Sequence, residues 1–384
     1  MNRCHGGNIW QVAKCYGLKP ADIIDFSASI NPLGLSPKAK AKIEDSLILA
    51  EVYPEPAGEG LKEELARFHG LPEDNILVGN GSTEFIYIIP QVFKPKRTLV
   101  IEPSFSEYRN ALALVGCQVD SFVLNEEEGF TVDINNLLPV LENRYDLLYF
   151  SNPCNPTGGL LSRSEILEIA RWCKRCGTML VVDEAFMDFV EAPHFLATGD
   201  MGSIRVASGQ WPVASIKREA VESDDIIILR SMTKFFAMAG LRVGYLFASK
   251  SIIRTMDGFR PPWSVNTMAI LSGLESLRDE DYIRETIEWF KAEHRFLFDG
   301  LKVIPYLRPY SSAANFFLVR ILHDSLLSRT LQEALLKKGI LVRDCASFVG
   351  LGDNFFRVAV RKREENLLLL EGLSSLTVSH LTLR

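Results

Sequence analysis

Ser231-Met-Thr-Lys234 follows the apolar run Ile226 to Leu229, and Gly240-Leu-Arg242-Val-Gly244 comes a few residues later. A lysine that is partly desolvated at a strand end, beside another cation, has the lowered pKa that imine formation needs. Lys234 is therefore the candidate for covalent catalysis. Two alternatives stay open on this motif alone, because a lysine in a surface loop would look the same and some serine hydrolases also use Ser-x-x-Lys.

Short apolar runs alternate with amphipathic stretches from Asp74 to Ser249, which is the pattern of parallel strands covered by helices. In open α/β sheets, ligands bind at the carboxyl ends of the strands, so motifs that follow several runs indicate one shared site. We predict an α/β fold with one mostly parallel, seven-stranded sheet. Its strands are Ile76 to Val78, Thr98 to Ile101, Val119 to Val123, Leu147 to Phe150, Met179 to Val182, Ile226 to Leu229 and Val243 to Ala248.

The pattern changes after Arg260-Pro261-Pro262 and predicts a smaller α+β domain. We expect an N-terminal arm at 1–48 that packs on this small domain, a large domain at 49–262 and the small domain at 263–384. The predicted elements of the small domain are a helix around Asp279 to Gly300, a strand Asn315 to Ile321, a helix around Leu326 to Lys338, and strands Ile340 to Arg343 and Phe355 to Val360.

The composition of the 384 residues excludes several classes of protein. A net charge of −6 gives no basic field for a nucleic-acid backbone. No apolar run reaches the roughly 18 to 20 residues that span a bilayer, and the first ten residues lack the pattern of a secretory signal. We therefore expect a cytoplasmic protein without a nucleic-acid or membrane partner.

The cysteines do not indicate a disulfide framework, because an odd number, seven, is scattered along the chain. Cys173 and Cys176 have a suggestive spacing, but they lie in a helix-like stretch without a second pair or a histidine cluster. We expect no metal site.

Asp183 ends the apolar run of Val181-Val182-Asp183-Glu184-Ala185-Phe186. A carboxylate in that position can face a pyridine nitrogen and keep it protonated, which makes the ring an electron sink. Taken without Lys234, the motif fits a helix cap or a magnesium ligand better.

Three further motifs could hold the rest of such a cofactor. Gly79-Asn-Gly81-Ser82-Thr83 joins a strand to a helix and could bind an anion at the helix N-terminus, with Ser231 and Arg242. Asn155, in Asn152-Pro-Cys-Asn155-Pro-Thr-Gly158, could bond a phenolic oxygen, and Phe105 could stack on a ring face or simply pack in the core.

Taken together and in this order, the five motifs resemble the fold-type-I pyridoxal-5'-phosphate (PLP) family, in the branch that contains histidinol-phosphate aminotransferase and threonine-phosphate decarboxylase. The resemblance covers nearly the whole chain and implies PLP as cofactor, with Lys234 holding it as a Schiff base. It also implies a homodimer with shared active sites, in which Tyr53 reaches the cofactor phosphate of the partner subunit. Arg357 should grip the substrate α-carboxylate, and Asn155 should lie beside the substrate.

Two features favour the decarboxylase of cobalamin biosynthesis within that branch. One is the opening His5-Gly6-Gly7-Asn8 together with Asp25-Phe-Ser-Ala-Ser-Ile-Asn31-Pro-Leu-Gly34. The other is Phe186, where aminotransferases of this family usually have a tyrosine. The resemblance implies that His5, Gly6, Asn31 and Arg343 meet a substrate phosphate; the planar donor fork of Arg343 suits that group.

We therefore expect a PLP-dependent carboxy-lyase that converts the phosphorylated amino acid L-threonine O-3-phosphate into (R)-1-aminopropan-2-yl phosphate and carbon dioxide. A histidinol-phosphate aminotransferase or related aminotransferase is one alternative, and an inactive PLP-fold binding or regulatory protein is another. The segment Glu191 to Asp225, with Arg205, Trp211, Lys217 and Arg218, is longer than either branch leads us to expect. It could be a surface excursion, a dimer contact or a lid.

Overall fold

The computed structural model describes residues 6–192, 214–323 and 325–376 of the chain. Three sheets hold the strands of these residues. Their bounds are β1 Ile24–Asp25, β2 Ile76–Gly79, β3 Arg97–Glu102, β4 Gln118–Val123, β5 Leu147–Ser151, β6 Met179–Asp183, β7 Ile226–Ser231, β8 Gly244–Phe247, β9 Leu307–Pro309, β10 Phe316–Ile321, β11 Ile340–Leu341, β12 Arg343–Asp344 and β13 Phe355–Ala359.

The α-helices cover the large sheet and build the small domain. The longest described helix has 23 residues, and no helix in the described ranges is long and apolar enough to cross a membrane. The bounds are α1 Ile9–Tyr16, α2 Pro37–Ser46, α3 Glu59–His69, α4 Ser82–Phe93, α5 Glu107–Ala113, α6 Ile134–Leu141, α7 Arg163–Cys176, α8 Lys217–Glu222, α9 Lys250–Asp257, α10 Thr267–Leu277, α11 Glu280–Lys302, α12 Ser328–Leu336 and α13 Arg363–Ser374.

All seven apolar runs predicted between Asp74 and Ser249 form one sheet, in the order β2-β8-β7-β6-β5-β3-β4. Strands β3 to β7 pair in parallel, whereas β8 is antiparallel to both of its neighbours. Every residue of β5 and β7 is buried, as expected for central strands with both faces covered by helices. The predicted α/β fold with a mostly parallel seven-stranded sheet is confirmed.

Helix α7 illustrates how the sequence sets the path toward the site. Ser162 and Glu165 form a capping box at its start, and Gly177 ends it with a left-handed φ of 70°. Its buried face packs into the main core and returns the chain to the start of β6. This connection places Asp183, the last residue of β6, at the carboxyl edge of the sheet.

The small domain contains a four-stranded antiparallel sheet in the order β12-β13-β10-β9. The predicted run Ile340 to Arg343 was wrong as a single strand, because its first half pairs with β1 and its second half with β13. Strand β9 was not predicted. The pairing of β1 with β11 joins the N-terminal segment to the small domain, while α2 packs on α10.

Candidate active site

A cavity of about 360 Å³ opens at the carboxyl edge of the large sheet. The N-terminal segment and the sheet of the small domain complete its wall. Most of the residues expected in the site from sequence line it. They are Gly6, Ser82, Thr83, Phe105, Asn155, Asp183, Phe186, Ser231, Lys234, Arg242, Arg343 and Arg357.

Lys234 lies on this wall in the turn that follows β7, with its side chain half-buried. Burial lowers the pKa of its amine to about 8, and the positive charges of Arg357 and Arg242 act in the same direction. The nearby Asp183 acts in the opposite direction and raises the pKa of Lys234. The neutral amine, which is the form that attacks a carbonyl carbon, is therefore more populated near physiological pH than in an ordinary lysine.

Asp183 is buried and receives a hydrogen bond on each carboxylate oxygen. The Tyr108 hydroxyl donates to Oδ2 at 2.7 Å, and the Ala185 backbone N–H donates to Oδ1 at 3.0 Å. Burial raises the pKa of Asp183, and these donors, with Lys234, oppose that rise. Tyr108 was missed in the sequence, although it stands three residues after Phe105 at a helical spacing.

An anion cradle forms where β2 enters α4. Ser82 and Thr83 begin this twelve-residue helix, and Ser231 and Arg242 face them across the cavity. Gly81 has a φ of 76°, which favours glycine, and it lies against Arg242, whose Nη2 would be 2.6 Å from a Cβ at this position. Helix N-terminal amides, hydroxyls and an arginine are the groups that bind phosphate.

Two aromatic rings form apolar parts of the wall. Phe105 meets the ring of Tyr108 edge-on, with 5.9 Å between centroids, and can cover one face of a planar ligand. Phe186 packs edge-on against Phe316 at 5.0 Å, and Lys234 Nζ lies 5.7 Å from the Phe186 centroid. Phe186 therefore offers the site an apolar surface where a tyrosine would offer a hydroxyl.

Two arginines enter the cavity from the small domain. Arg343 and Arg357 are opposite each other on the antiparallel strands β12 and β13, and both are buried. Arg357 donates from Nη1 to Asn155 Oδ1 and from Nη2 to the Ser27 carbonyl at 3.0 Å. Burial lowers the pKa of Arg357 to about 10, and the charge of Arg343 contributes in the same direction.

Gly6 of the N-terminal segment lines the cavity, as expected, and so do Ser27 and Ser29, which were not expected there. Asn31 does not, because its buried amide donates to the Phe235 carbonyl at 2.9 Å and to two hydroxyls of α11. Asn31 thus connects the N-terminal segment to the turn after Lys234 by hydrogen bonds. His5 lies outside the described residues.

Tyr53 lies away from the cavity wall and on the surface. Its side chain is 80% exposed, and its ring contacts Trp263 with 4.9 Å between centroids. Within this chain Tyr53 has no role in the cavity, so the role expected for it depends on a second subunit.

Comparisons with known proteins agree with this geometry. The family model for aminotransferase class I and II matches residues 21–373. The chain belongs to this family. It is 36% identical to threonine-phosphate decarboxylase of Salmonella typhimurium over 97% of this chain and 96% of that protein. It is 31% identical to histidinol-phosphate aminotransferase of Methanocaldococcus jannaschii, over 92% and 89% of the two chains.

A solved structure of histidinol-phosphate aminotransferase from Sinorhizobium meliloti, in complex with pyridoxal-5'-phosphate, matches with a TM-score of 0.83 at 20% identity. It covers 97% of this chain and 94% of its own. The match shows the same fold. Membership in the aminotransferase class I and II family makes this chain a PLP-dependent enzyme. Its cavity fits the cofactor, since the Gly81 cradle can take a phosphate and Lys234 an aldehyde carbon, while Asp183 can face a pyridine nitrogen.

A buried ion cluster in this aminotransferase-family chain was missed in the sequence. Arg230 is fully buried and pairs with Glu184 at 2.8 Å, Asp188 at 2.9 Å and Glu191 at 2.8 Å, and Lys217 pairs with Glu191 at 3.1 Å. Burial raises the pKa of Glu184 to about 7 and that of Asp188 to about 6. The desolvation of such buried charges offsets much of their attraction, so the cluster is weak evidence for added stability.

The position of the cluster gives it a structural role beside the cavity. Glu184 directly follows Asp183, and Arg230 directly precedes Ser231, so the cluster braces two strand ends that line the site. Lys217 belongs to the long segment noted in the sequence, of which residues 193–213, with Arg205 and Trp211, lie outside the described ranges.

The cysteines form no metal site in the described parts of the chain. Cys173 is buried in the face of α7 that packs into the main core, and Cys176 lies at the end of that helix. No cluster of histidine, cysteine and carboxylate side chains among the described residues could hold a metal ion.

Proposed function

We propose that this enzyme decarboxylates L-threonine O-3-phosphate to (R)-1-aminopropan-2-yl phosphate and carbon dioxide in cobalamin biosynthesis. The observation that carries the proposal is the pair Arg343 and Arg357, buried opposite each other on β12 and β13 at the cavity that holds Lys234. The 36% identity to a threonine-phosphate decarboxylase over nearly the whole chain supports it.

The pair favours a substrate with two separate anionic groups. Residues directly opposite in an antiparallel pair project to the same face, and like charges in that arrangement are destabilising. Both arginines line the cavity, and an amino acid that carries both an α-carboxylate and a phosphate would present one anionic group to each guanidinium.

The surroundings of the two arginines suggest which group each one binds. Arg357 is held by Asn155 and the Ser27 carbonyl, close to Lys234, and we assign it to the α-carboxylate. Arg343 is the corresponding partner of the phosphate. Ser29 lines the same cavity, and its buried hydroxyl makes no hydrogen bond to another described residue.

The choice between decarboxylation and transamination depends on substrate orientation. When bound, PLP supplies the electron sink for a bond broken at the α-carbon, and the bond that breaks is the one held perpendicular to the ring. Two fixed anion sites determine which bond that is. We propose that Arg343 and Arg357 together turn the carboxylate out of the ring plane, so that carbon dioxide leaves.

Two further features support decarboxylation over transamination. Phe186 offers no hydroxyl to the cofactor, and the His5-Gly6-Gly7-Asn8 opening resembles the decarboxylase branch. The cavity argues against a catalytically inactive PLP-fold binding or regulatory protein. It brings together the residues expected to carry the chemistry, which are Lys234, Asp183, Asn155 and Arg242.

The test follows the fate of the carboxyl carbon. We expect the enzyme to release labelled carbon dioxide from carboxyl-labelled L-threonine O-3-phosphate without a keto-acid acceptor. Histidinol phosphate with 2-oxoglutarate should give little glutamate. The opposite pattern, with glutamate formed and the label retained, would replace the decarboxylase with the aminotransferase.

We also propose that the active enzyme is a homodimer. An apolar surface around Tyr53 includes Leu47, Ile48 and Val52, each at least 60% exposed, together with Trp263. Exposed apolar side chains that are this close in sequence, with Tyr53 and Trp263 in contact, are typical of an interaction site. A second copy would cover it and bring Tyr53 to the neighbouring cavity.

Sedimentation at assay concentration is expected to give a dimer for the wild-type enzyme. Ile48→Glu places a charge on this surface and should shift the protein toward monomer with lower activity. Val303→Glu, at an equally exposed apolar position after α11, should leave both properties unchanged. A fully active wild-type monomer would contradict the proposal.

A further inference from the structure

We propose that Tyr108 is a positioning residue for Asp183, whose carboxylate it holds in the orientation that meets the pyridine nitrogen of the cofactor. The inference rests on the proposed role of Asp183 as the partner of that nitrogen. Tyr108 lies on α5 and would act on the cofactor through the side chain of Asp183.

The geometry restrains the carboxylate from two sides. The hydroxyl of Tyr108 donates to Oδ2 at 2.7 Å, and the backbone N–H of Ala185 donates to Oδ1 at 3.0 Å. Tyr108 is 1% exposed and Asp183 is 5% exposed, so water competes little for either bond. With one donor on each oxygen, the carboxylate plane is fixed against rotation about its last side-chain bond.

The ring of Tyr108 is itself held in place. It stacks on Tyr149 with 4.6 Å between centroids and an angle of 22°, and Phe105 meets it edge-on. The hydroxyl of Tyr149 is buried but makes no hydrogen bond to another described residue. Tyr149 is as deeply buried as Tyr108. Of the two hydroxyls, that of Tyr108 donates to Asp183 and that of Tyr149 does not.

Protonation provides an independent measure of the bond. The titratable groups that act on Asp183 are Tyr108, Tyr149 and Lys234. Burial raises the pKa of Asp183, whereas the Tyr108 hydrogen bond is the first of the contributions that lower it. Burial also holds the pKa of Tyr108 well above its usual value, so this phenol stays a donor. Loss of the donor should raise the pKa of Asp183 further.

The test compares Tyr108→Phe with Tyr149→Phe, which removes the same atom from the neighbouring ring. The readout is the PLP retained by the holoenzyme after dilution, followed by its absorption across a pH series. Tyr108→Phe should weaken retention at neutral pH about tenfold, as expected for a lost hydrogen bond to a charged group. The acid limb of retention should also move to higher pH by about one unit. Tyr149→Phe should retain PLP like the wild type.

Asp183→Asn separates failure of this inference from failure of the proposed site. If Asp183→Asn retains PLP like the wild type, the role of Asp183 is wrong and the inference fails with it. If Asp183→Asn loses PLP while Tyr108→Phe matches Tyr149→Phe in both readouts, the inference alone is overturned. In the Asp183→Asn background, Tyr108→Phe is expected to add little further loss, because the charge that it serves is gone.

Discussion

Replacing Lys234 with alanine is expected to abolish turnover. Lys234 is the one lysine among the described residues that line the cavity, and burial beside two arginines lowers its pKa to about 8. Covalent capture of a carbonyl needs a neutral amine at that place, and the alanine variant offers none. Initial rates with L-threonine O-3-phosphate at saturating PLP measure the effect.

The matched control is Lys250→Ala, which removes an exposed lysine paired with Asp74 at 2.8 Å on the surface. Exposed pairs contribute little to stability, so this variant should keep wild-type rates. Appreciable turnover in Lys234→Ala would mean that another amine carries the reaction and would move the covalent site elsewhere.

Arg343→Ala is expected to weaken binding of L-threonine O-3-phosphate far more than binding of L-threonine. A lost charge-assisted partner in a desolvated site costs about 1.5 to 3 kcal/mol, or roughly a 10- to 150-fold change in affinity. Threonine lacks the phosphate and should lose little. Spectral titration of the holoenzyme with each amino acid measures both dissociation constants.

Arg357→Ala is the comparison for this test, because Arg357 is the cross-strand partner of Arg343 and has the same buried environment. It should weaken both amino acids to a similar extent, since both carry the α-carboxylate. An equal loss for the two amino acids in Arg343→Ala would place Arg343 outside the phosphate site and remove the main support for a phosphorylated substrate.

The sequence alone determined the architecture of the large domain and the core of the site. Strands such as Ile226–Ser231 are short, continuous apolar runs, and this local pattern is enough to indicate buried parallel strands. Asp183 ends one such strand, and Lys234 lies in the turn that follows another. Their meeting at one edge therefore follows from the rule that parallel strands end on the same side of a sheet.

The tertiary structure decided which side chains face the cavity from distant parts of the chain. Ser29 lines it and Asn31 does not, although the two stand two residues apart in one motif. The difference depends on hydrogen bonds from Asn31 to the turn after Lys234 and to α11, more than two hundred residues away. A local pattern carries no information about such partners.

The same limit explains the other residues that the sequence did not reveal. Tyr108 reads as an ordinary helix residue until α5 places its hydroxyl on Asp183. Arg230 reads as part of an apolar strand until three carboxylates surround it. Arg343 was expected at a phosphate, but its register opposite Arg357 exists only once β12 and β13 pair. Periodicity sets which residues are buried along one element, whereas contacts between elements set which charges and donors meet.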